Sequence, residues 1–442
     1  MWKKSCNILL LVTGMFVGSS HSMAQVSYTL EELIQQSLDH NYQLQIRRNQ
    51  QQMAENMNTA GNAGMLPTVD MGAERSWQIL NTETNFFTGE TRSGTNALNT
   101  SFNAFVEADW MIFDGFSMFA RRDRLSQLAQ LGSLDTRYYI EQTVSDIAHA
   151  YFQLIKEKQT LISLKQSLDI SSYRLKLEEH KRNVGSGNAL LYHQAQIDYN
   201  SDSSRVSNQQ MLIRDLQIRI NRIVNFDPST TITPEITDIE LHGISEPEEL
   251  LAKALASNQE LERAQMEQML AEANLRIERG NRYPQVSVFG GYSYSRQTSE
   301  LGLMQSSRNY GANFGVRLRF NLYDGGRQNT RIENVLLEQQ NVATDLEDTK
   351  AYLNSEISRL INVYENYMQQ FRLLENSLQS TERSLQIAQQ QLELGTINGF
   401  EFRQTQLAAL QVENQIIELK FSMKAIEIDL SRISGEIMDH LL

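Results

Sequence analysis

Proline is scarce in this chain of 442 residues, which contains 5 prolines, whereas average usage is about 5% of residues. The prolines are Pro67, Pro228, Pro234, Pro247 and Pro284. Two long stretches, 68–227 and 285–442, therefore contain none. Because proline breaks helices, its scarcity argues against an all-β sandwich or a loop-rich enzyme and predicts long, uninterrupted helices.

Long hydrophobic runs are also few, which excludes a bundle of transmembrane helices. Only the N-terminal apolar run approaches the length of about 18–20 residues that a membrane-spanning helix needs. Its core, residues 8–17, follows Lys3 and Lys4 and precedes Ser22-Met23-Ala24. This order is typical of a secretory signal peptide. Residues 1–24 are therefore predicted to be removed on export, so that Gln25 begins the mature chain.

Cysteine occurs once, as Cys6, ahead of the apolar core of the signal peptide. It is predicted to leave with the signal, so it cannot anchor a lipid, and the mature chain has neither disulfide nor thiolate chemistry. The formal net charge is −13 and becomes more negative when Lys3 and Lys4 are removed. Such an acidic chain disfavours nucleic acid as a partner and accommodates cations or basic proteins more easily.

The chain contains an internal repeat. One set of residues, Glu31-Glu32-Leu33, Asn41 and Pro67, recurs 217 residues later as Glu248-Glu249-Leu250, Asn258 and Pro284. A second set recurs 210 residues later: Asp114-Gly115, Gly185, Asn188, Gln194 and Gln196 correspond to Asp324-Gly325, Gly395, Asn398, Gln404 and Gln406. The repeat predicts two structural units, 25–225 and 247–442, joined by a linker at 226–246. The change of offset places a seven-residue length difference between Pro67 and Asp114.

Each unit contains two segments in which polar and apolar residues alternate, predicted as strand hairpins at 67–113 and 284–323. The apolar parity, which is predicted to face lipid, includes Phe102, Val106, Trp110, Val286, Tyr292, Phe314, Leu318 and Phe320. The opposite parity carries Glu107, Asp109, Arg317 and Arg319. Alternating tracts of about 9–11 residues have the length of tilted strands that cross a bilayer. A half-buried sheet on a soluble core is the alternative interpretation.

Four strands are too few to close a barrel, since even barrels filled by side chains need about eight. An open sheet edge is not tolerated in lipid. If these strands span a membrane, several chains must therefore contribute to one barrel. Two copies would supply eight strands and three would supply twelve, and only the larger barrel leaves a water-filled lumen of useful width.

After each strand hairpin the apolar pattern becomes helical. Asp114-Gly115 and Asp324-Gly325 mark the change, and both aspartates are suited to cap a helix start. Apolar residues then follow the four-three spacing of a coiled coil. At about 1.5 Å per residue, the segment 325–393 would be about 100 Å long, the length of a spacer. Gly185 and Gly395 interrupt the pattern and are predicted to form the tips of two antiparallel helical hairpins.

These features together resemble the TolC family of outer-membrane efflux channels. The resemblance rests on the signal peptide, the doubled strand and helix hairpins, the Asp-Gly elbows and the Gly-x-x-Asn tips at Gly185-Asn188 and Gly395-Asn398. It implies an α+β membrane protein, a homotrimer in which four strands per protomer form a twelve-stranded barrel in the outer membrane. A helical coiled-coil barrel would reach into the periplasm.

The resemblance also implies a function and partners. The protein would be a passive conduit for small molecules, opened when a periplasmic adaptor protein and an inner-membrane pump dock at the helical tips. The same conduit in a type I protein secretion system is one alternative. A structural coiled-coil protein of the periplasm is another, although it leaves the alternating strands unexplained. The substrate is chosen by the pump, so the sequence does not identify it.

A gate near the second tip is a further implication of the resemblance. An acidic residue six positions after the tip glycine lines the constriction in the family, and here that position is Glu401. Gln404 and Leu191 stand where well-known members carry acidic residues, and the cysteine that lipidates some relatives is absent. Arg403 of a neighbouring protomer is a candidate to neutralise a ring of Glu401 carboxylates. The alternative is that Glu401 is a solvated charge in the first turn of a helix.

Sequence motifs of enzymes are lacking. We find no nucleophile elbow, phosphate-binding loop, paired metal-binding histidines or C-x-x-C. The histidines of the mature chain are scattered, which indicates ordinary solvated side chains. The sequence therefore predicts a protein that is not an enzyme and that holds no cofactor or metal.

Overall fold

The computed structural model describes residues 27–301 and 304–441, and the predicted signal peptide lies outside them. The first unit contains β1 (Ser27–Tyr28), α1 (Leu30–His40), α2 (Tyr42–Met57), β2 (Thr68–Asn85), β3 (Thr91–Phe113), α3 (Ser117–Asn183) and α4 (Ala189–Val224). After the short β4 (Thr233–Pro234), the second unit contains α5 (Pro247–Ser257), α6 (Gln259–Gly280), β5 (Gln285–Ser299), β6 (Ser306–Arg319), α7 (Arg327–Glu393), α8 (Gly399–Ile433) and α9 (Ile437–Leu441).

The four long strands form one antiparallel sheet in the order β2-β3-β5-β6. β2 and β3 have 18 and 23 residues, and β5 and β6 have 15 and 14. All four exceed the predicted tracts of about 9–11 residues, because strand hydrogen bonds continue past the alternating segments toward the turns. β6 ends at Arg319, before the predicted end at 323, since the chain there bends into the following helix.

The helices lie side by side in a wall that is one helix thick. Next to the sheet, α3 contacts α2 and α6, and α6 contacts α7. Farther from the sheet, α3 contacts α4 and α8, and α8 contacts α7. The helix order is therefore α2-α3-α6-α7 near the sheet and α4-α3-α8-α7 beyond it. In both layers α7 lies at one edge, and α2 or α4 lies at the other.

Two hydrophobic clusters hold this wall together where the layers meet. In the first unit the cluster includes Val144, Ile147, Tyr151 and Leu154 of α3. In the second unit it includes Leu353, Ile357, Leu360 and Tyr364 of α7 with Leu419, Met423, Ile426 and Leu430 of α8. These are residues of the four-three apolar spacing, which places them on one face of each helix.

Asparagine recurs at the same position of both units for a structural reason. The Asn41 side chain caps α2 by accepting from the Gln43 and Leu44 amides, and it donates to the Ile223 carbonyl at 3.0 Å. Asn258 caps α6 through the Leu261 amide and donates to the Ile433 carbonyl at 2.9 Å. Each asparagine therefore fastens the start of one helix to the end of another.

The segment between the two units is tied to the helical wall. β4 pairs in parallel with β1. Oε1 of the buried Glu427 accepts hydrogen bonds from the backbone amides of His242 and Gly243, each at 3.0 Å. Oε2 of Glu427 pairs with the buried Lys424 at 3.0 Å. This charge pair is compensated by hydrogen bonds, as a buried ion pair requires.

Candidate functional site

One face of the sheet carries the residues that the alternation predicts to face lipid. The register pairs Val106 with Met71 and Tyr292, Trp110 with Val288, and Val286 with Leu318. Directly paired residues point to the same side of a sheet. Seven of the eight predicted residues therefore share one face, and Phe320 lies just beyond the end of β6. Phe314 and Leu318 are 86% and 68% exposed in the single chain, which leaves them free for lipid.

The opposite face of the sheet is polar. Asp70 lies directly opposite Glu107, and Glu107 lies opposite Gly291. Asp109 accepts a hydrogen bond from Arg317 of β6 at 3.1 Å. Carboxylates, one ion pair and small residues on this face fit a surface that lines water.

Aromatic residues border the apolar face at both ends, a feature that the sequence reasoning missed. Near the helices, Phe116 and Tyr323 are exposed, and Phe116 contacts Phe113 edge to face with ring centroids 5.3 Å apart. Toward the strand turns, Tyr294 and Tyr310 lie directly opposite each other. Aromatic girdles of this kind mark the two interfaces of a membrane barrel. The rings could have been found in the sequence as aromatics at the ends of each alternating tract.

The elbows between strand and helix use left-handed backbone. Gly115 and Gly325 have φ of 71° and 75°, which glycine adopts without strain. Asp114 Oδ1 accepts from the Met118 amide at 3.0 Å, and Asp324 Oδ2 accepts from the Gln328 amide at 2.9 Å. Each aspartate thus bonds to the first turn of the helix. The N-cap residue itself lies two positions later, because two left-handed residues stand between the aspartate and the helix.

The two helical tips have the same backbone structure. Gly185 and Gly395 follow α3 and α7 with φ of 80° and 74°, and a side chain at either position would meet open space. In both tips the glycine amide and the next amide bond back to the last turn of the helix, which is a Schellman C-cap. Asn188 and Asn398 then cap α4 and α8 by accepting from backbone amides. The Gly-x-x-Asn pattern therefore ends one helix and begins the next.

Large apolar side chains flank each tip. Val184 and Leu190 are 68% and 70% exposed at the first tip, and Leu394 and Phe400 are 79% and 72% exposed at the second. The residues of each tip correspond by the offset of 210. The sequence analysis assigned the tips from Gly185 and Gly395 and did not recognise that apolar side chains recur beside them.

The structure does not bring the two tips together within a protomer. Glu393, next to the second tip, accepts a hydrogen bond from Tyr173 of α3 at 3.1 Å. Tyr173 precedes the first tip by 12 residues, which corresponds to about 18 Å along a helix. The second tip is anchored there by a small cluster of Ala388, Leu392 and Phe402.

Glu401 and Gln404 both lie exposed on the first turns of α8. The Glu401 carboxylate accepts from the backbone amide of Asn398 at 3.2 Å, and the Asn398 side chain accepts from the Glu401 amide at 3.0 Å. This reciprocal arrangement is a capping box. Within the protomer, Glu401 therefore has the role of a charge at a helix N-terminus.

Arg403 points into its own helical bundle instead of toward Glu401. It is buried, and its guanidinium donates to both carboxylate oxygens of Asp202 on α4, at 2.6 and 2.7 Å. A second ion pair, Arg174 with Asp198, lies beside it with the nearest N and O atoms 2.8 Å apart. Because Asp202 holds Arg403 inside its own protomer, Arg403 is not positioned to neutralise Glu401 of a neighbour.

Burial and hydrogen bonding change the pKa of Asp202 in opposite directions. Burial alone would raise the pKa of Asp202, but hydrogen bonds from Arg403 and Ser171 outweigh it, so the pKa lies below its ordinary value. Gln406 completes the network by donating to the Ser167 carbonyl at 2.9 Å. The sequence reasoning missed these partners. The recurrence of Gln196 as Gln406 was the available signal for Gln406.

Residues 27–301 and 304–441 lack two kinds of structural feature. No helix in that part of the chain is long and apolar enough to cross a membrane. The same residues contain no group of His, Cys, Asp or Glu side chains that could hold a metal ion.

Comparison with known proteins gives one matching family model, described as outer membrane efflux protein, over residues 33–225 and 250–436. SilC of Salmonella typhimurium, a probable outer membrane lipoprotein, is 19% identical over 66% of this chain and 63% of that protein. The cation efflux system protein CusC of Escherichia coli K12 is 20% identical over 93% of this chain and 87% of that protein. The outer membrane protein TolC of Vibrio cholerae is 20% identical over 66% of each.

Solved structures of outer membrane proteins have the same fold as this chain. The crystal structure of CusC superposes with a TM-score of 0.76, covering 93% of this chain and 92% of that one at 17% sequence identity. The outer membrane protein VceC of Vibrio cholerae gives a TM-score of 0.73 over 92% of this chain and 96% of that one, at 16% identity. The strand sheet, elbows and helical hairpins described above are therefore one fold with these proteins.

Proposed function

The chain belongs to the outer membrane efflux protein family, and we propose that three copies of it form the outer-membrane conduit of a three-part export system. It is an outer-membrane efflux channel whose helices extend into the periplasm. The family consists of channel proteins and not of enzymes. Its members are trimers that work with adaptor and pump partners, and the assembly of this particular chain is the part that we propose.

The two open edges of the sheet are the observation that carries the proposal. In the described residues, β2 pairs only with β3 and β6 pairs only with β5. Unpaired strand edges are not tolerated in lipid, so β2 of one protomer must pair with β6 of another. Three copies give twelve strands, which close around a lumen lined by the polar face.

The helical wall has matching open edges. Its edge helices α4 and α7 expose large apolar side chains in the single chain, among them Ile197, Met211, Leu337, Tyr352 and Leu373. Apolar patches of this kind on a soluble surface mark interfaces between proteins. Packing of α4 against α7 of the next protomer would cover these side chains and close a helical barrel below the strands.

We propose that the exposed tips are the docking sites for a periplasmic adaptor. The open space at Gly185 and Gly395 lets a partner backbone approach closely, and the flanking apolar side chains offer buried contact area. An amphipathic helical hairpin is the partner that best fits such a surface. The inner-membrane pump would then connect through the adaptor.

The tips are tested by Phe400→Ser, which removes one apolar contact and leaves the glycine cap intact. We expect the variant to insert normally and to fail in an assay of drug or metal export with its native adaptor and pump. Ile162→Ser, which removes an exposed apolar side chain from α3, a helix that is not at an edge of the wall, serves as a control away from the tip. Full export by Phe400→Ser with normal co-purification of the adaptor would contradict the docking role.

The gate is proposed for the same end of the molecule. Three-fold symmetry would bring the exposed Glu401 side chains toward one axis, with Gln404 one turn away on the same exposed face. Like charges close together attract cations. In planar bilayers, Glu401→Gln should weaken cation selectivity and block by multivalent cations from the periplasmic side. Unchanged selectivity and block would place Glu401 outside the constriction. Its role would then be limited to capping α8.

The alternatives predict different cell behaviour. A channel for protein secretion would use the same conduit with another pump, and loss of a secreted protein in a deletion strain would identify it. A purely structural periplasmic protein would be released with the periplasm, whereas a channel stays in the detergent-extracted outer membrane. The apolar sheet face favours membrane retention.

A further inference from the structure

Three arginines interrupt the apolar face of the sheet at the level where β5 and β6 approach their turn. The register places Arg75 and Arg296 on either side of Phe102, and Arg308 directly opposite Arg296. All three side chains are exposed. A charge on the lipid side of a barrel is tolerated poorly at the midplane and well near the interface. We call Arg75, Arg296 and Arg308 the arginine surface.

The position of the arginine surface fits the outer interface. The ten residue steps from Val286 to Arg296 span about 33 Å of strand, or about 25 Å along the membrane normal at a tilt of about 40°. An apolar band of about 25 Å is typical of these barrels. Tyr294 and Tyr310 lie one row nearer the helices. Because the helices extend into the periplasm, this end of the sheet faces the outer leaflet.

The arginines are not neutralised by the strands around them. The ion pairs of described strand residues near this sheet are Arg92 with Glu90 and Arg317 with Asp109. Arg296 and Arg308 are like charges at directly opposed positions, which by itself destabilises a sheet. Glu300 is the carboxylate that shares a groove with Arg296, and its Oε2 already accepts the Leu98 amide at 2.9 Å.

A shallow groove on this face provides further contacts. Arg75 and Arg296 line it together with Thr100, Phe102, Tyr294 and Thr298. The guanidinium carbon of Arg75 lies 5.0 Å from the centroid of the Trp77 ring, a cation–π contact on the same face of β2. The groove therefore combines guanidinium groups and hydroxyls with an apolar floor.

We infer that the arginine surface binds the phosphate groups of a phosphorylated glycolipid in the outer leaflet. One guanidinium group donates two parallel hydrogen bonds to phosphate oxygens, and this bidentate contact is stronger than the contact that a lysine makes. The threonine hydroxyls of the groove are placed to bond to sugar hydroxyls, while Phe102, Ala104 and the tyrosine row face the acyl chains. A free phosphate ion would leave that apolar surface unused. The inference rests on the outward orientation of this face in the proposed trimer.

The test uses the full-length trimer in neutral detergent and measures binding of purified lipid A by native mass spectrometry. The variant Arg75→Gln/Arg296→Gln/Arg308→Gln should bind on the order of 100-fold more weakly, because each arginine near a membrane surface contributes about fivefold. The control Arg92→Gln/Arg317→Gln/Arg319→Gln removes the same charge from the turn and the polar face, and its binding should be unchanged. Lipid A without phosphates should bind the wild type as weakly as the arginine-surface variant does.

Four results would overturn the inference: equal binding by the arginine-surface variant, equal loss in the control, equal binding of dephosphorylated lipid, or displacement of lipid A by the same concentration of inorganic phosphate. If the triple variant does not insert, Arg296→Gln alone should weaken binding about fivefold. A wild-type trimer that shows no preference for phosphorylated lipid refutes this inference and leaves the conduit intact. Failure to form a trimer refutes the proposed function itself.

Discussion

Two glycines on the polar face of the sheet leave room for aromatic rings on neighbouring strands. Gly72 lies opposite Phe105, and Gly315 lies opposite Phe289. A Cβ at these glycines would come within 2.6 Å and 2.8 Å of the facing ring. By the repeat offsets, Gly72 corresponds to Phe289 and Phe105 to Gly315, so the two units exchange the glycine and the ring. Each unit therefore pairs one glycine with one aromatic ring. The glycine lies on the first strand of the hairpin in one unit and on the second strand in the other.

Gly315→Ala should destabilise the assembled barrel. The new methyl group must displace the Phe289 ring, and overpacking of this kind costs about 1–3 kcal/mol. Gly311→Ala is the matched control, because it lies on the same face of β6 and a Cβ there meets nothing within 4 Å. Urea unfolding in lipid vesicles should show a lower midpoint for Gly315→Ala and a midpoint near the wild type for Gly311→Ala. Equal midpoints would show that the ring is not packed on Gly315.

Glu141 of α3 is the residue with the clearest pH dependence. Burial raises its pKa from 4.5 to about 7 and outweighs the opposite effect of Arg432 and Arg137. The folded chain therefore holds this proton more tightly than the unfolded chain. The free energy of unfolding should therefore fall as the pH rises from about 4.5 to about 7, and it should stay reduced above that range.

Glu141→Gln should remove this penalty, because glutamine resembles the protonated carboxyl. The variant should have a higher midpoint of thermal unfolding than the wild type at pH 8 and a similar midpoint at pH 4.5. Glu382→Gln, on the exposed surface of α7, controls for the loss of one negative charge. A constant difference between Glu141→Gln and the wild type at both pH values would contradict the assigned pKa.

At the scale of single elements, the parity of each strand decides which substitutions the barrel tolerates. Val106 and Leu318 lie on the apolar face, and Glu107 lies on the polar face. Val106→Arg and Leu318→Arg should each cost about 2–4 kcal/mol near the membrane midplane, whereas Glu107→Arg should be tolerated in the lumen. The fraction of heat-resistant trimer in isolated outer membranes measures the effect.

Comparable assembly of all three variants would overturn the assignment of faces. Assembly lost only in Glu107→Arg would show that the faces are reversed. A wild-type level of protein in whole-cell extracts controls for expression.

The sequence predicts the elements that follow a strong period. Alternation identifies the sheet, and the four-three spacing identifies Leu353, Ile357, Leu360 and Tyr364, which are buried together. These predictions succeed because a period of two or of about 3.6 residues places apolar side chains on one face. The family and its fold are confirmed by the family model and the structural comparisons.

Other features depend on contacts between distant helices, which no local period reports. The ion pair of Asp202 and Arg403 joins residues that are 201 positions apart in the chain. The stagger of the two tips depends in the same way on how α8 packs against α3. Strand lengths were underestimated because backbone hydrogen bonds continue where side-chain alternation stops.

At the scale of the whole molecule, the protomer is a wall with two open edges. The sheet ends at β2 and β6, and the helical layers end at α7 on one side and α2 or α4 on the other. The duplicated unit explains this form, since each unit supplies two strands and one long helical hairpin. In the proposed trimer, the junction between neighbouring protomers would resemble the junction between the two units within one chain. Closure therefore depends on the number of copies.

The count of chains in the membrane-extracted assembly tests the central claim most directly. Native mass spectrometry of the wild-type protein, released from outer membranes in a mild detergent, should give one dominant species with three copies of the mature chain. Three copies are expected because twelve strands close both open edges around a lumen. A dominant monomer or dimer, with the sheet edges protected from amide hydrogen exchange, would contradict the account.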